Sequence, residues 1–159
     1  MAGVPIYRTG IAPAWIDYNG HLRDAYYGLI VSYAIDALMD RIGLDEAYRT
    51  RTGCTLYTLE MHMHFLQEVK AAATVATDVR ILGADRKRIH AAFDLRSDPA
   101  TEAAAVAEVM LMQVRQQAQS VASEPFAPAI VVATEDLQRA CADLPPPAHG
   151  SRRMQLPQR

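Results

Sequence analysis

The sequence predicts an α+β fold in which a short strand and one long, enclosed helix are followed by a run of long antiparallel strands, with a further helix near the C-terminus. Three observations predict it: an early apolar repeat with helical spacing, later segments in which apolar and polar residues alternate, and turn signals between those segments. The chain has 159 residues, and half of them are hydrophobic. This length suits one domain, which we place at residues 1–145 and follow with an extended tail at 146–159.

The charge and the cysteine content exclude several classes of protein. A net charge of −2 gives no reason to expect a nucleic-acid or membrane partner. The two cysteines, Cys54 and Cys141, are too few and too unpatterned for a disulfide scaffold or a zinc site. Neither a targeting segment nor an apolar stretch of membrane-spanning length is recognisable. We therefore expect a cytoplasmic protein with no metal and no cofactor.

Residues 22–42 are predicted to form the long helix. Apolar side chains recur there with i, i+3, i+4 spacing, at Leu22, Ala25, Tyr26, Leu29, Ile30, Tyr33, Ala34, Ala37 and Leu38. A second apolar face carries Gly28, Val31, Ile35, Met39 and Ile42. Because apolar residues cover most of the circumference, we expect the helix to be largely enclosed. Gly43 is placed to end it.

The segments after this helix change to a period of two. Apolar and polar residues alternate in TLYTLEMHMHF (residues 55–65), and the alternation recurs at residues 75–81 and 89–95. The stretch LGADRK (residues 82–87) between the last two is a turn signal. These two strands are therefore predicted to form a hairpin.

Local propensity leaves residues 103–117 ambiguous. They are rich in Ala, Glu, Met and Gln, which favour a helix, and only the family resemblance described below favours a strand. A last helix is predicted at residues 128–144, before three consecutive prolines.

One helix cannot cover both faces of a long sheet. We therefore expect a homo-oligomer, a dimer or a tetramer, in which another copy buries the remaining face or the sheet edge.

The segment WIDYNGHLRDAYY (residues 15–27) places reactive side chains directly before the long helix. The first turn of a helix has unpartnered N–H groups and the positive end of the dipole, so it can stabilise a developing negative charge. Gly20 allows a ligand to approach the backbone closely, and Asp17 can act as a nucleophile or as a base that deprotonates water. A helix cap at Asp17 and a turn at Asn19-Gly20 are the commoner use of such residues.

The order of motif and elements resembles a known family. The pattern D-x-x-G-H, a tyrosine seven residues after the glycine, a long apolar helix and about four strands are similar to the hotdog-fold acyl-CoA thioesterases of the 4-hydroxybenzoyl-CoA thioesterase type. The matching residues are Asp17, Gly20, His21 and Tyr27, and the similarity extends from about residue 4 to residue 115. The resemblance implies a hotdog fold, in which an antiparallel sheet of about five strands wraps the long central helix.

Four stretches resemble a narrower subgroup: PAWIDYNGHL, DALMDRIGLDEAY, LYTLEMHMHFL and LGADRKRIH. They are similar to the thioesterases of carnitine degradation, which hydrolyse betainyl-CoA to glycine betaine and CoA. The resemblance implies that Asp17 is the catalytic carboxylate. It also implies that N–H groups around Asn19, Gly20 and His21 polarise the thioester carbonyl.

Two further acids follow from the resemblance. Arg23 and Asp24 stand where the family often has two asparagines, so Asp24 is a candidate for a second acid near the site. Glu60 matches an acidic position of the subgroup and is a candidate for orienting water or balancing substrate charge. A glutamate on the polar side of a strand is also often plain surface.

The substrate implied by the resemblance is an acyl-CoA whose acyl group carries a trimethylammonium cation. Aromatic faces with an acid nearby bind such a cation best. Trp15 and Tyr18 are the first candidates for this cage, and Tyr27 and Asp24 are further substrate contacts. For the CoA phosphates, basic side chains cluster at the hairpin turn, although a charged turn is as often only solvated: Arg86, Lys87 and Arg88. Coenzyme A is thus part of the substrate and not a cofactor.

Three alternatives remain open at this point. His62 and His64 lie on one face of a strand with metal-ligand spacing, but no third ligand accompanies them. The hotdog fold also serves acyl-CoA hydratases, for which Asp17 and His21 would supply an acid–base pair. A non-catalytic acyl-CoA-binding protein is the third alternative, although no helix-turn-helix precedes the first strand.

Overall fold

A computed structural model describes residues 3–145, 147 and 149–151. Within these residues the chain forms six strands and three α-helices, with a 3₁₀ turn at Pro13–Trp15. The elements run in the order β1 (Val4–Gly10), α1 (Asp24–Arg41), α2 (Glu46–Thr52), β2 (Cys54–Phe65), β3 (Thr74–Ala84), β4 (Arg88–Ser97), β5 (Ala105–Gln117), β6 (Ser120–Ser123) and α3 (Pro128–Ala140). No helix in this part of the chain is long and apolar enough to cross a membrane.

The strands form one antiparallel sheet in the order β1-β3-β4-β5-β2, and β6 pairs with the end of β5. The predicted sheet is therefore confirmed, with β6 as an additional short strand. The ambiguous residues 103–117 contain β5, which is paired on both sides by β4 and β2. Its residues Ala105, Ala107, Val109 and Leu111 are fully or almost fully buried in the core. Packing and pairing on both sides thus override the helical propensity of this segment.

Helix α1 lies against the sheet but is not enclosed all round within one chain. Its buried residues are Tyr27, Ile30, Val31, Ala34, Ile35, Leu38 and Met39. Tyr33, on the predicted first apolar face, is 40% exposed. The helix begins at Asp24, and its N-cap residue Arg23 makes no side-chain capping bond. Asp17 therefore lies in a separate turn and does not cap this helix.

Strand β2 is an open edge of the sheet. Among the described residues, its one pairing partner is β5. Apolar side chains on or directly after this strand are exposed: Leu59, Met61, Phe65 and Leu66. An exposed strand edge with apolar side chains is a surface on which another strand can pair.

The chain after α3 crosses the sheet face turned away from α1. Helix α3 packs against β3 and ends at Ala140, earlier than predicted, in a turn. Beyond it the Pro145 carbonyl accepts a hydrogen bond from Arg80 at 2.8 Å, and the Gly150 oxygen lies 3.0 Å from His64 Nε2. Pro146, Ala148 and residues 152–159 of the predicted tail lie outside the described residues.

Two glycines make a matched test of backbone conformation. Gly53 follows α2 with φ of +69°, and a Cβ there would lie 3.0 Å from the Gln116 oxygen. We expect Gly53→Ala to reduce the free energy of unfolding by about 1–2 kcal/mol, because L-residues are strained in this conformation. Gly28 lies inside α1 with open space around its Cα, so Gly28→Ala should increase that free energy by about 0.5–1 kcal/mol. Urea denaturation of both variants measures the two effects, and equal effects would contradict this explanation.

Candidate active site

Residues 17–21 form a tight turn in which Asp17 is the central acceptor. The Asp17 carbonyl accepts a hydrogen bond from Gly20 N at 3.1 Å, and Asp17 N donates to the His21 oxygen at 2.9 Å. The carboxylate Oδ1 of Asp17 accepts two more bonds, from Asn19 N at 2.8 Å and from His21 N at 3.1 Å. Gly20 has φ of +82°, which glycine adopts without steric cost. The turn thus fixes Oδ1 and leaves Oδ2 outside its hydrogen-bond pattern.

The same hydrogen bonds keep Asp17 ionised. The bond from His21 N is the largest influence and lowers the pKa of this carboxyl below its usual 3.8. Partial desolvation opposes that effect, while the bond from Asn19 N and the charges of His21 and Arg23 add to it. An ionised, fixed carboxylate can attack a carbonyl carbon or accept a proton from water.

The segment after β2 anchors this turn. Leu22 N donates a hydrogen bond to the Val69 oxygen at 2.7 Å. The His21 side chain reaches the same segment, with 3.1 Å between its Nε2 and Oε2 of Glu68. The end of β2 and the start of α1 therefore meet at Asp17.

A cavity of about 320 Å³ opens where these segments meet. It is lined by the turn with the residue after it (Asp17, Asn19, His21 and Leu22), by Asp24 and Tyr27 in the first turn of α1, and by residues 65–68. Three of the lining residues are acids, and neither Lys nor Arg is among those that the structure describes there. The cavity therefore favours a positively charged ligand group over a negative one.

The backbone donors that the resemblance implied for the thioester carbonyl are engaged within the turn. Asn19 N and His21 N are bonded to the Asp17 carboxylate, and Gly20 N to its carbonyl. Asp24 differs, because it is the first residue of α1 and its N–H has no acceptor inside the helix. Asp24 also lines the cavity. The geometry therefore favours the N–H of Asp24 as the donor at the positive helix end.

The fold divides the aromatic residues that the sequence suggested as a cage. Trp15 stacks on Tyr26, with ring centroids 5.4 Å apart and planes inclined by 16°, and Tyr18 is 96% exposed. Neither lines the cavity beside Asp17. Tyr27 does line it and meets Phe65 edge to face. Within one chain the aromatic wall is thus Tyr27 with Phe65, and not Trp15 with Tyr18.

Glu60 is separated from Asp17 in this chain. It lies in the middle of β2, where the register places it opposite Met110 on the sheet face turned away from α1. Its Oε1 is 2.6 Å from Nε2 of His62. Both residues line a separate cavity of about 170 Å³ with His90. A role for Glu60 at the Asp17 cavity would need a second copy of the chain.

The basic turn at residues 86–88 lies at the far end of the sheet from Asp17. His21 forms a β-bridge with Lys70, which lies just before β3 begins. The basic turn comes after Ala84, the last residue of β3. A strand of this length separates the two by about 30 Å. Lys87 donates to Ser123 and Arg88 pairs with Asp85. One chain therefore does not bring these cations to its own cavity.

Sequence reasoning missed Phe65 and Glu68. The alternating pattern marked Phe65 as a strand residue, but nothing local showed that the chain returns to the start of the long helix there. That meeting is set by the bridge between His21 and Lys70. The predicted histidine pair makes other contacts: His62 with Glu60, and His64 with the Gly150 oxygen. Among the described residues, no group of three or more His, Cys, Asp or Glu is arranged to hold a metal ion.

The chain is similar to proteins of known family. It matches the family described as the thioesterase-like superfamily over residues 11–146. It is 44% identical to the betainyl-CoA thioesterase of Pseudomonas aeruginosa over 151 residues. This alignment covers 95% of this chain and 94% of that protein. It is 35% identical to the L-carnitine dehydrogenase/betainyl-CoA thioesterase of Agrobacterium fabrum over 132 residues. This alignment covers 83% of this chain and 26% of that longer protein.

Solved structures agree with this match. A candidate thioesterase from Pseudomonas putida KT2440 superimposes with a TM-score of 0.84 at 39% identity, over 99% of both chains. A hypothetical Staphylococcus aureus protein in complex with CoA superimposes with a TM-score of 0.87 at 24% identity, over 99% of this chain and 98% of that one, and so shares the fold. The family resemblance and the hotdog fold predicted from the sequence are confirmed. The chain belongs to the thioesterase-like superfamily and is a thioester hydrolase.

Proposed function

We propose that this protein hydrolyses acyl-CoA thioesters and that its substrate is betainyl-CoA, with glycine betaine and CoA as products. The observation that carries the proposal is the Asp17 carboxylate, which two backbone N–H groups hold beside an acidic cavity at the start of α1. The identity to the Pseudomonas aeruginosa enzyme supports the acyl group.

Hydrolysis at this site needs a nucleophile or base, a hydrogen-bond donor for the developing oxyanion, and a proton for the leaving thiolate. Asp17 attacks the carbonyl carbon through Oδ2 or takes a proton from a water that attacks in its place. The N–H of Asp24 at the helix terminus stabilises the oxygen that becomes negative. The carbon–sulfur bond then breaks, and the CoA thiolate leaves and is protonated. In the first route one water then hydrolyses the acyl-aspartate anhydride, which releases the acid product and restores the carboxylate.

Thiol release from a small acyl-CoA panel tests the proposal. The panel is betainyl-CoA, acetyl-CoA, hexanoyl-CoA and 4-hydroxybenzoyl-CoA, with release followed by a thiol-reactive dye. We expect betainyl-CoA to have the highest kcat/KM. Preference for another ester would reject the substrate and keep the reaction. Hydration of crotonyl-CoA without thiol release would reject the reaction itself.

The pH dependence of hydrolysis follows from the state of Asp17. Its pKa is lowered below 3.8, so its charge is retained above that value and lost only as the pH falls through the lowered pKa. We therefore expect kcat/KM to show no acidic limb from Asp17 between about pH 5 and pH 8. The measurement is a pH–rate profile of the wild type. A limb in this range that disappears in Asp17→Asn would contradict the assignment.

We further propose that the enzyme is a homodimer joined at the free edge of β2. Exposed apolar side chains follow this edge, and a cavity of about 720 Å³ runs along residues 61–66. Antiparallel pairing of two such edges satisfies their free N–H and C=O groups and continues the sheet. It also brings the Cys54 end of one β2 to the Phe65 end of the other. The basic turn at 86–88 then approaches the partner's cavity, where its cations can contact CoA phosphates.

Lysines on this edge test the dimer. We expect the double variant Leu59→Lys/Met61→Lys to be a monomer of about 17.5 kDa, because like charges on an edge strand oppose pairing. The control is Val132→Lys, which replaces an equally exposed apolar residue on α3. Sedimentation equilibrium gives the masses. A monomeric wild type, or a dimer that survives the two lysines, would reject the β2 interface.

A further inference from the structure

The cavity beside Asp17 has an aromatic wall. The Tyr27 residue is 4% exposed and Phe65 is 55% exposed. Their ring centroids are 5.2 Å apart and the ring planes meet at 86°. Phe65 is the exposed part of this wall, and Tyr27 borders the cavity with little exposed surface. The faces of aromatic rings carry the negative part of the ring quadrupole. The wall is therefore suited to a cation whose charge is surrounded by methyl groups.

Two carboxylates stand beside this wall in addition to Asp17. Asp24 and Glu68 both line the cavity, and the Glu68 side chain is 72% exposed. Glu68 lies 3.1 Å from the His21 imidazole. In this contact the imidazole donates and the carboxylate accepts, because a carboxylate has only acceptor oxygens. The described lining therefore has three carboxylates against the single imidazole of His21, and Arg23, whose charge reaches Asp17, is not part of it. A cation that enters the cavity meets a net negative field.

We propose that Tyr27, Phe65 and Glu68, with Asp24, bind the quaternary ammonium group of the acyl part of the substrate. This inference rests on the proposed function and deepens it, because the thioester carbonyl lies at Asp17 in the same cavity. A quaternary ammonium has no N–H to donate, so ring faces and nearby carboxylates are the contacts that recognise it. A neutral acyl group of the same shape gains none of these electrostatic contacts.

A neutral isostere separates charge recognition from shape recognition. In 3,3-dimethylbutyryl-CoA a carbon replaces the quaternary nitrogen of betainyl-CoA. We expect the wild type to prefer betainyl-CoA about tenfold in kcat/KM, because its ammonium group gains ring and carboxylate contacts that the neutral group cannot make. Glu68→Gln should remove most of that preference by lowering kcat/KM for betainyl-CoA alone. Phe65→Leu should reduce the preference in the same direction.

The matched control is Glu102→Gln. Glu102 accepts a hydrogen bond from Gln67 at 2.7 Å but does not line the cavity, so this variant removes the same charge close to the site. It should leave the preference between the two esters unchanged. An equal loss for both esters in Glu68→Gln would show that Glu68 only positions His21, and it would overturn the cation site while the thioesterase stands. Equal kcat/KM for the two esters in the wild type would overturn it as well.

Direct binding of tetramethylammonium makes the test independent of turnover. NMR titration should show saturable binding by the wild type that weakens about tenfold in Glu68→Gln. Thiol release from no ester, together with intact tetramethylammonium binding, would reject the proposed function and keep the cation site. Thiol release with no tetramethylammonium binding would reject the cation site and keep the function.

Discussion

Thiol release by Asp17→Asn is expected to fall by about 10²–10⁴-fold in kcat, the range for loss of a positioned catalytic base. The substituted amide keeps an oxygen that can accept the bonds from Asn19 N and His21 N. The turn should therefore persist, and the loss should fall on the chemistry and not on folding. The KM for betainyl-CoA should change little. Steady-state kinetics with a thiol-reactive dye give both constants.

A matched aspartate controls for loss of a turn-stabilising acid. Asp45 also accepts a backbone bond, from Tyr48 N at 2.8 Å, at the start of α2, and it does not line the cavity. Asp45→Asn should keep wild-type activity. If Asp17→Asn were similarly active, Asp17 would be only a turn residue, which is the common use of aspartate before a helix.

An isotope experiment distinguishes the two routes for Asp17. In a single turnover in H₂¹⁸O, attack by the carboxylate gives an acyl-aspartate whose hydrolysis places solvent oxygen either in Asp17 or in the acid product. Label in the Asp17 peptide by mass spectrometry would establish the nucleophilic route. Attack by water places the label only in the product acid.

The second large effect is expected from Asp94→Ala, which should reduce the free energy of unfolding by about 3–5 kcal/mol. Asp94 is a buried residue of β4, and 3.1 Å separate its Oδ2 from NH2 of Arg80 on the neighbouring strand β3. Arg80 is buried too, at 8% exposure. Removal of the acid leaves a buried guanidinium without its counter-charge, and this is far more costly than loss of a surface pair. Chemical denaturation monitored by circular dichroism measures the change.

An apolar replacement of both partners should behave differently. Burial is the largest influence on the Asp94 carboxyl and raises its pKa above 3.8, although the charge and hydrogen bond of Arg80 act to lower it. The attraction thus does not fully offset desolvation. Arg80→Leu/Asp94→Leu should therefore be close to the wild type or more stable. The surface control Glu135→Ala, at the exposed pair with Arg139, should change stability by at most about 1 kcal/mol.

Much of the fold could be predicted because each step depended on local pattern. The helical spacing of residues 22–42 follows from the burial of one side of α1 against the sheet. The alternation of residues 55–65 follows from the two faces of a strand, although the apolar residues Leu59, Met61 and Phe65 of β2 are exposed in one chain. Residues 103–117 could not be assigned that way. Ala-rich sequence favours a helix locally, and only pairing by two neighbouring strands, with small side chains packed into the core, makes β5 a strand.

Some residues of the candidate site could likewise be predicted from the sequence, and others only from the structure. The sequence by itself determined the Asp17 turn, because an acid, an Asn-Gly pair and a histidine before a helix constrain one another over a few residues. It also placed Tyr27 one helical turn into α1. Only the tertiary structure decided that Phe65 and Glu68 join them, since these residues reach the cavity through the bridge between His21 and Lys70.

Tertiary structure also decided which predicted residues stand apart. Glu60 faces away from α1 because side chains alternate along β2 and its register with β5 fixes which face each one takes. The basic turn at 86–88 lies at the opposite end of β3 from the site because an antiparallel hairpin turns only where its strands end. The distances of Glu60 and of the basic turn from Asp17 cannot be read from the sequence. They depend on strand pairing and register, which are set by many residues far apart in the chain.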